Sequence, residues 1–176
     1  MVIKLNETTK VLCERRSVRS FQDKQVPKDV LDEILKCGCY APSGMGLQSA
    51  VIVAIQNKDL IDKIAKINAS IMGRDTNPFY GAPTLVVVLA KKDIPTHVKD
   101  GSSVITNILN AAFSLGVDSC WIDRAKETFE TEVGKDLLKS WGLDESYEGI
   151  GNVILGYRDG ELPKAKPRKE NYIIYR

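Results

Sequence analysis

Histidine is almost missing from this 176-residue chain, with His97 its only copy. Cysteine is scarce as well: Cys13, Cys37, Cys39 and Cys120 are scattered along the sequence. That is not the framework of a small disulfide-stapled secreted scaffold. On a helix, Cys37 and Cys39 would lie roughly 200° apart and could not share one ion. No second pair stands at ligand spacing, which excludes a zinc or iron–sulfur reading and leaves no metal site to expect. A Cys–His nucleophile pair has no supporting pattern. The acidic residues show no pairing suited to glycoside hydrolysis. Neither a G-x-x-x-x-G-K-[ST] loop nor a G-x-G-x-x-G fingerprint occurs. The longest apolar run, Leu85 to Ala90, is far too short to cross a bilayer. The opening "MVIKLNETTK" has no apolar stretch of the secretory kind. Excess charge is lacking too, at +2 overall. No global field would recruit nucleic acid or an anionic membrane, so any anion site must be local. A soluble cytoplasmic protein with neither kind of partner is the expectation.

What is present reads as one globular domain over residues 1–176, with 43% hydrophobic and 27% charged residues. No internal repeat or low-complexity linker interrupts it. "NETTKVLCERR" reads as a first helix, with Val11 and Leu12 on its apolar side. "VPKDVLDEILKCGCY" reads as a second, with Pro27 in the first turn and a stripe of Val30, Leu31, Ile34 and Leu35. "APSGMGLQS" breaks the pattern and is a loop. "AVIVAI" predicts a strand, "KDLIDKIAKI" a helix, and "NASIMGRDTNPFYGAP" an irregular stretch. "TLVVVLA" predicts a central strand buried on both faces. Val104, Ile105, Ile108, Leu109, Ala112 and Phe113 give helical spacing from Ser102 to Leu115, with Gly116 as the stop. "DSCWI" is extended. Phe129, Val133, Leu137 and Trp141 predict one helical face, closed by Gly142. "GNVILGY" is a last core strand. The class is α+β or α/β. The closing "NYIIYR" is too apolar for a frayed end and predicts docking on this chain or a second copy.

Three segments carry candidate chemistry. In "CERRSVRSF", Arg15, Arg16 and Arg19 cannot share one helical face. If the helix stops near Arg16, then Arg15, Ser17 and Arg19 alternate onto one side and Arg16 and Val18 onto the other. Two guanidiniums and a hydroxyl would then address one object, and guanidiniums suit phosphate. The plainer alternative is a solvated helix end whose arginines offset the dipole. "APSGMGLQ" frees its backbone for close approach and offers Ser43 and Gln48 as hydrogen-bonding groups, or is a simple connection. "KAKPRK" brings Lys164, Lys166, Arg168 and Lys169, either to complete an anion site or as a solvated basic tail.

Taken in order, "RRSVRSF", "APSGMGLQ", "LGVDSCWI", "ILGY" and "KPRK" resemble the nitroreductase family of dimeric, FMN-dependent oxidoreductases, from Val11 to about Lys169. The resemblance implies an α+β nitroreductase-like fold: a central mixed β-sheet flanked by helices, with a C-terminal segment extending onto the partner subunit of a homodimer. It implies that Arg15 and Ser17 hold the phosphate and ribityl end of FMN, with Arg16 in the same motif. Arg19 reaches the pyrimidine edge and acts only electrostatically. Pro42, Ser43 and Gly44 come from the partner subunit and lie against the ring, and Gln48 matches a further letter of that motif. Ile122 and Asp123 fall where a backbone N–H approaches the flavin N5. Lys166 and Arg168 return to the phosphate. No residue of the protein is an acid or base. NADH or NADPH would donate hydride, and a small electron-poor acceptor such as a nitroaromatic or quinone would receive the electrons, in ping-pong order. Against the family pattern P-S-G-x-N-x-Q-P-W, Gly46 replaces asparagine and Ser49-Ala50 replace Pro-Trp. Asp123-Arg124 stands where glycine is common after "CWI". These departures motivate an alternative, a non-catalytic flavin-binding or sensing module. A third reading is a structural dimer module whose basic segments meet another anion.

Overall fold

The computed structural model describes residues 6–176. The expectation placed on the first five residues, as part of the opening stretch, lies outside them. The chain begins with α1 (Glu7–Glu14), which Asn6 starts by accepting the Thr9 N–H at 2.9 Å. Next comes α2 (Lys28–Cys39), entered from Pro27, whose missing N–H costs nothing there. The loop after it leads into β1 (Ala50–Ile55), α3 (Lys58–Ile71), β2 (Thr84–Lys91) and α4 (His97–Ser114). Then follow β3 (Asp118–Ile122), α5 (Ala125–Glu130), α6 (Glu132–Ser140) and β4 (Tyr147–Gly156).

The sheet runs β1-β2-β4-β3, and every strand pair in it is antiparallel. The parallel component of the expected mixed sheet is confined to one bridge, Ser17 to Ser119. β2 is the central strand anticipated from its β-branched run, buried from Thr84 to Ala90. Its alternate residues feed two cores. Leu85, Val87 and Leu89 pack with α3, α5 and α6, while Val86 and Val88 pack with α2 and α4. Helices therefore cover both faces.

Three elements differ from the sequence expectation. Asn68 to Ile71, expected to be irregular, complete α3, where Asn68 is buried and its side chain bonds the Asp123 carbonyl in the turn between β3 and α5. α4 begins at His97, five residues before the expected start at Ser102. There Gly101 packs where a Cβ would lie 2.6 Å from Ile150. The single helical face from Phe129 to Trp141 is two helices. Thr131 is extended and accepts the Gly134 N–H at 3.0 Å, capping α6 afresh. A Cβ on Gly134 would sit 2.1 Å from the Thr128 carbonyl, so glycine permits the sharp fold-back. Phe129 and Trp141 still meet, with ring centroids 5.5 Å apart, whereas Val133 faces outward.

Candidate functional site

The arginine segment borders the outer edge of β3. α1 ends at Arg15, whose N–H bonds the Val11 carbonyl. The chain then runs extended: the Val18 N–H bonds the Ser119 carbonyl at 3.0 Å, and Phe21 bridges Arg158. Val18 is buried, Arg15, Arg16 and Ser17 are half-buried, and Arg19 is exposed. Arg16 turns back, donating at 2.8 Å to the carbonyls of Cys13 and Arg15, which is the helix-end role.

Arg15 behaves differently. Its Nη1 is buried, and no described group accepts from it. Burial pushes its guanidinium pKa below the ordinary value, the Cys120 thiol works against that shift, and the Arg16 charge adds to it. A buried donor without an acceptor costs about 1–3 kcal/mol. Ser119 Oγ, 1% exposed, is also without a partner among the described residues. Bridge partners direct their side chains to one face, so the hydroxyls of Ser17 and Ser119 share a side of the sheet. A cation and two hydroxyls on one edge suit an anionic, oxygen-rich ligand such as a sugar phosphate.

The second segment follows α2. Gly44 to Gly46 form one 3₁₀ turn. Ser43 Oγ accepts the Gln48 N–H at 3.1 Å, and the Gly44 N–H donates to Asp100 at 2.9 Å. Gly44 is required sterically, since a Cβ would stand 2.4 Å from Thr96 Oγ1. Pro42 and Gln48 are exposed, and Ser43 is half-buried. Pro42, Ser43, Gln48, Ala50, Ile52 and Asp100 are among the walls of a cavity of about 260 Å³.

The third segment is the turn from β3 into α5. Ile122 is half-buried and Asp123 exposed. The Asp123 carbonyl accepts from Asn68 Nδ2 at 2.8 Å. Arg124 follows with φ 68°, the left-handed region. Glycine suits such a turn because it needs a positive φ, and arginine adopts that φ at a cost. Asn152, paired with Ile122 across the sheet, is fully buried, and neither of its amide atoms has a partner among the described residues.

Lys166 and Arg168 lie exposed on a tail without regular structure. The root of that tail is fixed beside the arginine segment. The Gln22 N–H bonds Tyr157, the Asp159 N–H bonds Ser20, and Arg158 pairs with buried Asp118 at 3.0 Å.

One chain does not bring all of these together. The Pro42–Gln48 loop leads into β1 at one edge of the sheet, while the arginine segment flanks β3 at the other. Three strand spacings put those edges about 14 Å apart. Sequence reasoning missed Ser119, Asp100, Asn68 and Asn152. For Ser119 and Asn152 the available signal was a polar residue set against an apolar run, as in "DSCWI" and "GNVILG", and for Asp100 and Asn68 there was none.

A family model described as the nitroreductase family matches residues 12–77. A nitroreductase from Bacteroides fragilis, crystallised with bound FMN, superposes with TM-score 0.89 and 32% identity, over 97% of this chain and 99% of that one. A second FMN-bound nitroreductase, from Desulfitobacterium hafniense, gives TM-score 0.87 and 27% identity over 98% and 99%. A relative in Methanothermobacter thermautotrophicus, with a provisional NADH dehydrogenase/NAD(P)H nitroreductase name, is 30% identical over 112 residues. That match takes in 61% of this chain and 56% of the relative's length. Fold, ordered motifs and full-length structural likeness agree: the chain belongs to the nitroreductase family of oxidoreductases.

Proposed function

We propose that this protein is an FMN-dependent oxidoreductase. It uses NADH or NADPH to reduce small electron-poor acceptors, nitroaromatics and quinones among them, as a cytoplasmic homodimer of single-domain subunits spanning residues 1–176. The observation that carries the reading is Arg15: a half-buried guanidinium whose buried Nη1 has no partner among the described residues, beside Ser17, on the sheet edge from which the Lys166–Arg168 tail departs. The FMN bound in the Bacteroides fragilis protein supports the same choice of anion.

Bound FMN would supply the redox chemistry, accepting hydride from the nicotinamide and releasing electrons to the acceptor. The residues of this chain hold and shape. Arg15, Ser17, Lys166 and Arg168 would bind the phosphate end, with Arg16 closing α1 behind them. Arg19 would offset negative charge at the pyrimidine edge. The peptide at Ile122 and Asp123 would present a backbone N–H. Pro42, Ser43, Gly44 and Gln48 would come from the partner subunit. Their position at the far edge of the sheet supports that assignment, since a second copy can deliver the loop to the arginine segment. The exposed tail from Tyr172 to Tyr175 supports pairing as well, because no described element of its own chain covers it.

Purified protein reconstituted with FMN should be yellow and should bleach under anaerobic NAD(P)H. Colourless protein whose melting temperature ignores FMN would overturn the proposal. Gly46 places no side chain over the loop, which favours one rival, a flavin module with little turnover. Steady-state NAD(P)H oxidation with a quinone separates the two.

A further inference from the structure

The loop from Pro42 to Ser49 is held in an unfavourable shape. Met45 has φ 54°, Gly46 69° and Gln48 48°. Two of these are not glycine, and left-handed backbone costs such residues about 1–2 kcal/mol each. Such geometry lasts only when the surroundings over-determine it. Within the loop there are weak constraints: the Gly46 and Leu47 N–H groups bond Ser43 and Gly44 at 3.1 Å, and Ser43 Oγ accepts from Gln48.

From outside, the Lys91 N–H bonds the Ser49 carbonyl at 3.1 Å, and the remaining hydrogen bonds come from one carboxylate. Asp100 stands in the first turn of α4 and is 4% exposed. Its Oδ1 accepts the Gly44 N–H at 2.9 Å, and its Oδ2 accepts Ser49 Oγ at 2.8 Å and Thr96 Oγ1 at 3.0 Å. Among the described residues it is the only side chain from elsewhere in the chain that hydrogen-bonds this loop. It grips both ends, Gly44 and Ser49, while Thr96 fills the space that a Cβ at residue 44 would need. Ser49 takes part through its own hydroxyl, so the serine that departs from the family's proline is used as a tether.

We infer that Asp100 is a positioning residue for the flavin site, the clamp that fixes loop 43–49 in the shape it offers across the subunit interface. This rests on the FMN reading above for its consequence, though not for its geometry. The burial of Asp100 is compensated by three donors, two of them charge-assisted contacts to the loop. Cutting them lets Met45 and Gln48 relax out of the left-handed region, and the loop loses its shape.

The chemistry separates clamp from charge. Asn at residue 100 can keep all three contacts, with its oxygen accepting from Gly44 and its NH₂ donating to the Ser49 and Thr96 hydroxyls. Ala can keep none. Amide hydrogen exchange of FMN-free protein is the first measurement. Asp100→Ala should speed exchange at Gly44, Gly46, Leu47 and Gln48 about tenfold or more, with β2 and β4 unchanged. Asp100→Asn should stay within about threefold of wild type. FMN titration by fluorescence should follow the same order: at least about tenfold weaker for Ala and near wild type for Asn. Unchanged loop exchange in the Ala variant overturns the inference, and so does an Asn variant as impaired as Ala. If the Ala variant fails to fold, Ser49→Ala takes its place, since loss of one grip should still speed loop exchange, and unchanged exchange there overturns the inference equally. A wild-type protein that ignores FMN would sink the flavin reading, while exchange still decides the clamp.

Discussion

Arg15 concentrates the tension between stability and function in one side chain. Its guanidinium is half out of water with one nitrogen unpartnered, and burial disfavours its charge. A group that only served the fold would be bonded or replaced. Arg15→Met keeps the aliphatic stem and removes the unsatisfied charge. FMN-free protein should therefore melt no lower, and up to about 2–4 °C higher, for a gain of about 1 kcal/mol. FMN affinity should fall at least about tenfold, as the loss of a charge-assisted bond requires. Scanning calorimetry and flavin fluorescence check the two halves, and a variant that binds FMN as well as wild type refutes the assignment. The end of α1 close to Arg16, with extended chain through Ser17, could be read from the sequence because three arginines at this spacing cannot share one helical face. Ser119 and Asn152 left only the hint of a polar residue set into an apolar run, and Asn68 and Asp100 left none. Their importance comes from burial without a partner, or from a partner tens of residues away, and sequence periodicity carries neither.

Among the elements, the turn between β3 and α5 shows how a local rule can be broken within a well-formed fold. Arg124 takes φ 68° and its carbonyl still accepts the Thr128 N–H that opens α5. Glycine reaches that region freely. Arg124→Gly should stabilise the protein by about 0.5–1 kcal/mol, measured by urea denaturation with an unchanged m-value. A loss of stability would mean that the arginine side chain is kept for its contacts instead. The same contrast separates what the sequence disclosed about elements from what it hid. β2 and the core of α4 were legible from unbroken apolar runs and clean helical spacing. The start of α4 was not, because "HVKDGSS" has no apolar stripe and is held by Gly101 packing on Ile150 and by Asp100. The break at Thr131 was hidden by a stripe from Phe129 to Trp141 that remains continuous in space although the backbone folds back between its ends.

For the molecule as a whole, the tail is the unfinished part. Tyr172, Ile173, Ile174 and Tyr175 are 67–87% exposed, a contiguous apolar run that a lone subunit leaves in water. β1, at the sheet edge, pairs on one side only among the described residues, and open edges of this kind are usually covered. Both features are relieved at once if each tail crosses to the other subunit, which would also carry Lys166 and Arg168 along a path fixed at Arg158 beside the arginine segment. The folded body does not depend on the tail, since both cores are built from residues before Arg158. Deleting residues 171–176 should therefore leave circular dichroism unchanged while converting a sedimenting dimer to monomer at micromolar concentration. FMN retention should fall with the dimer, because in the proposed assembly the loop at one edge would meet the arginines at the other only between copies. A truncated protein that stays dimeric and yellow would show that the interface lies elsewhere, and the crossing tail would have to be abandoned.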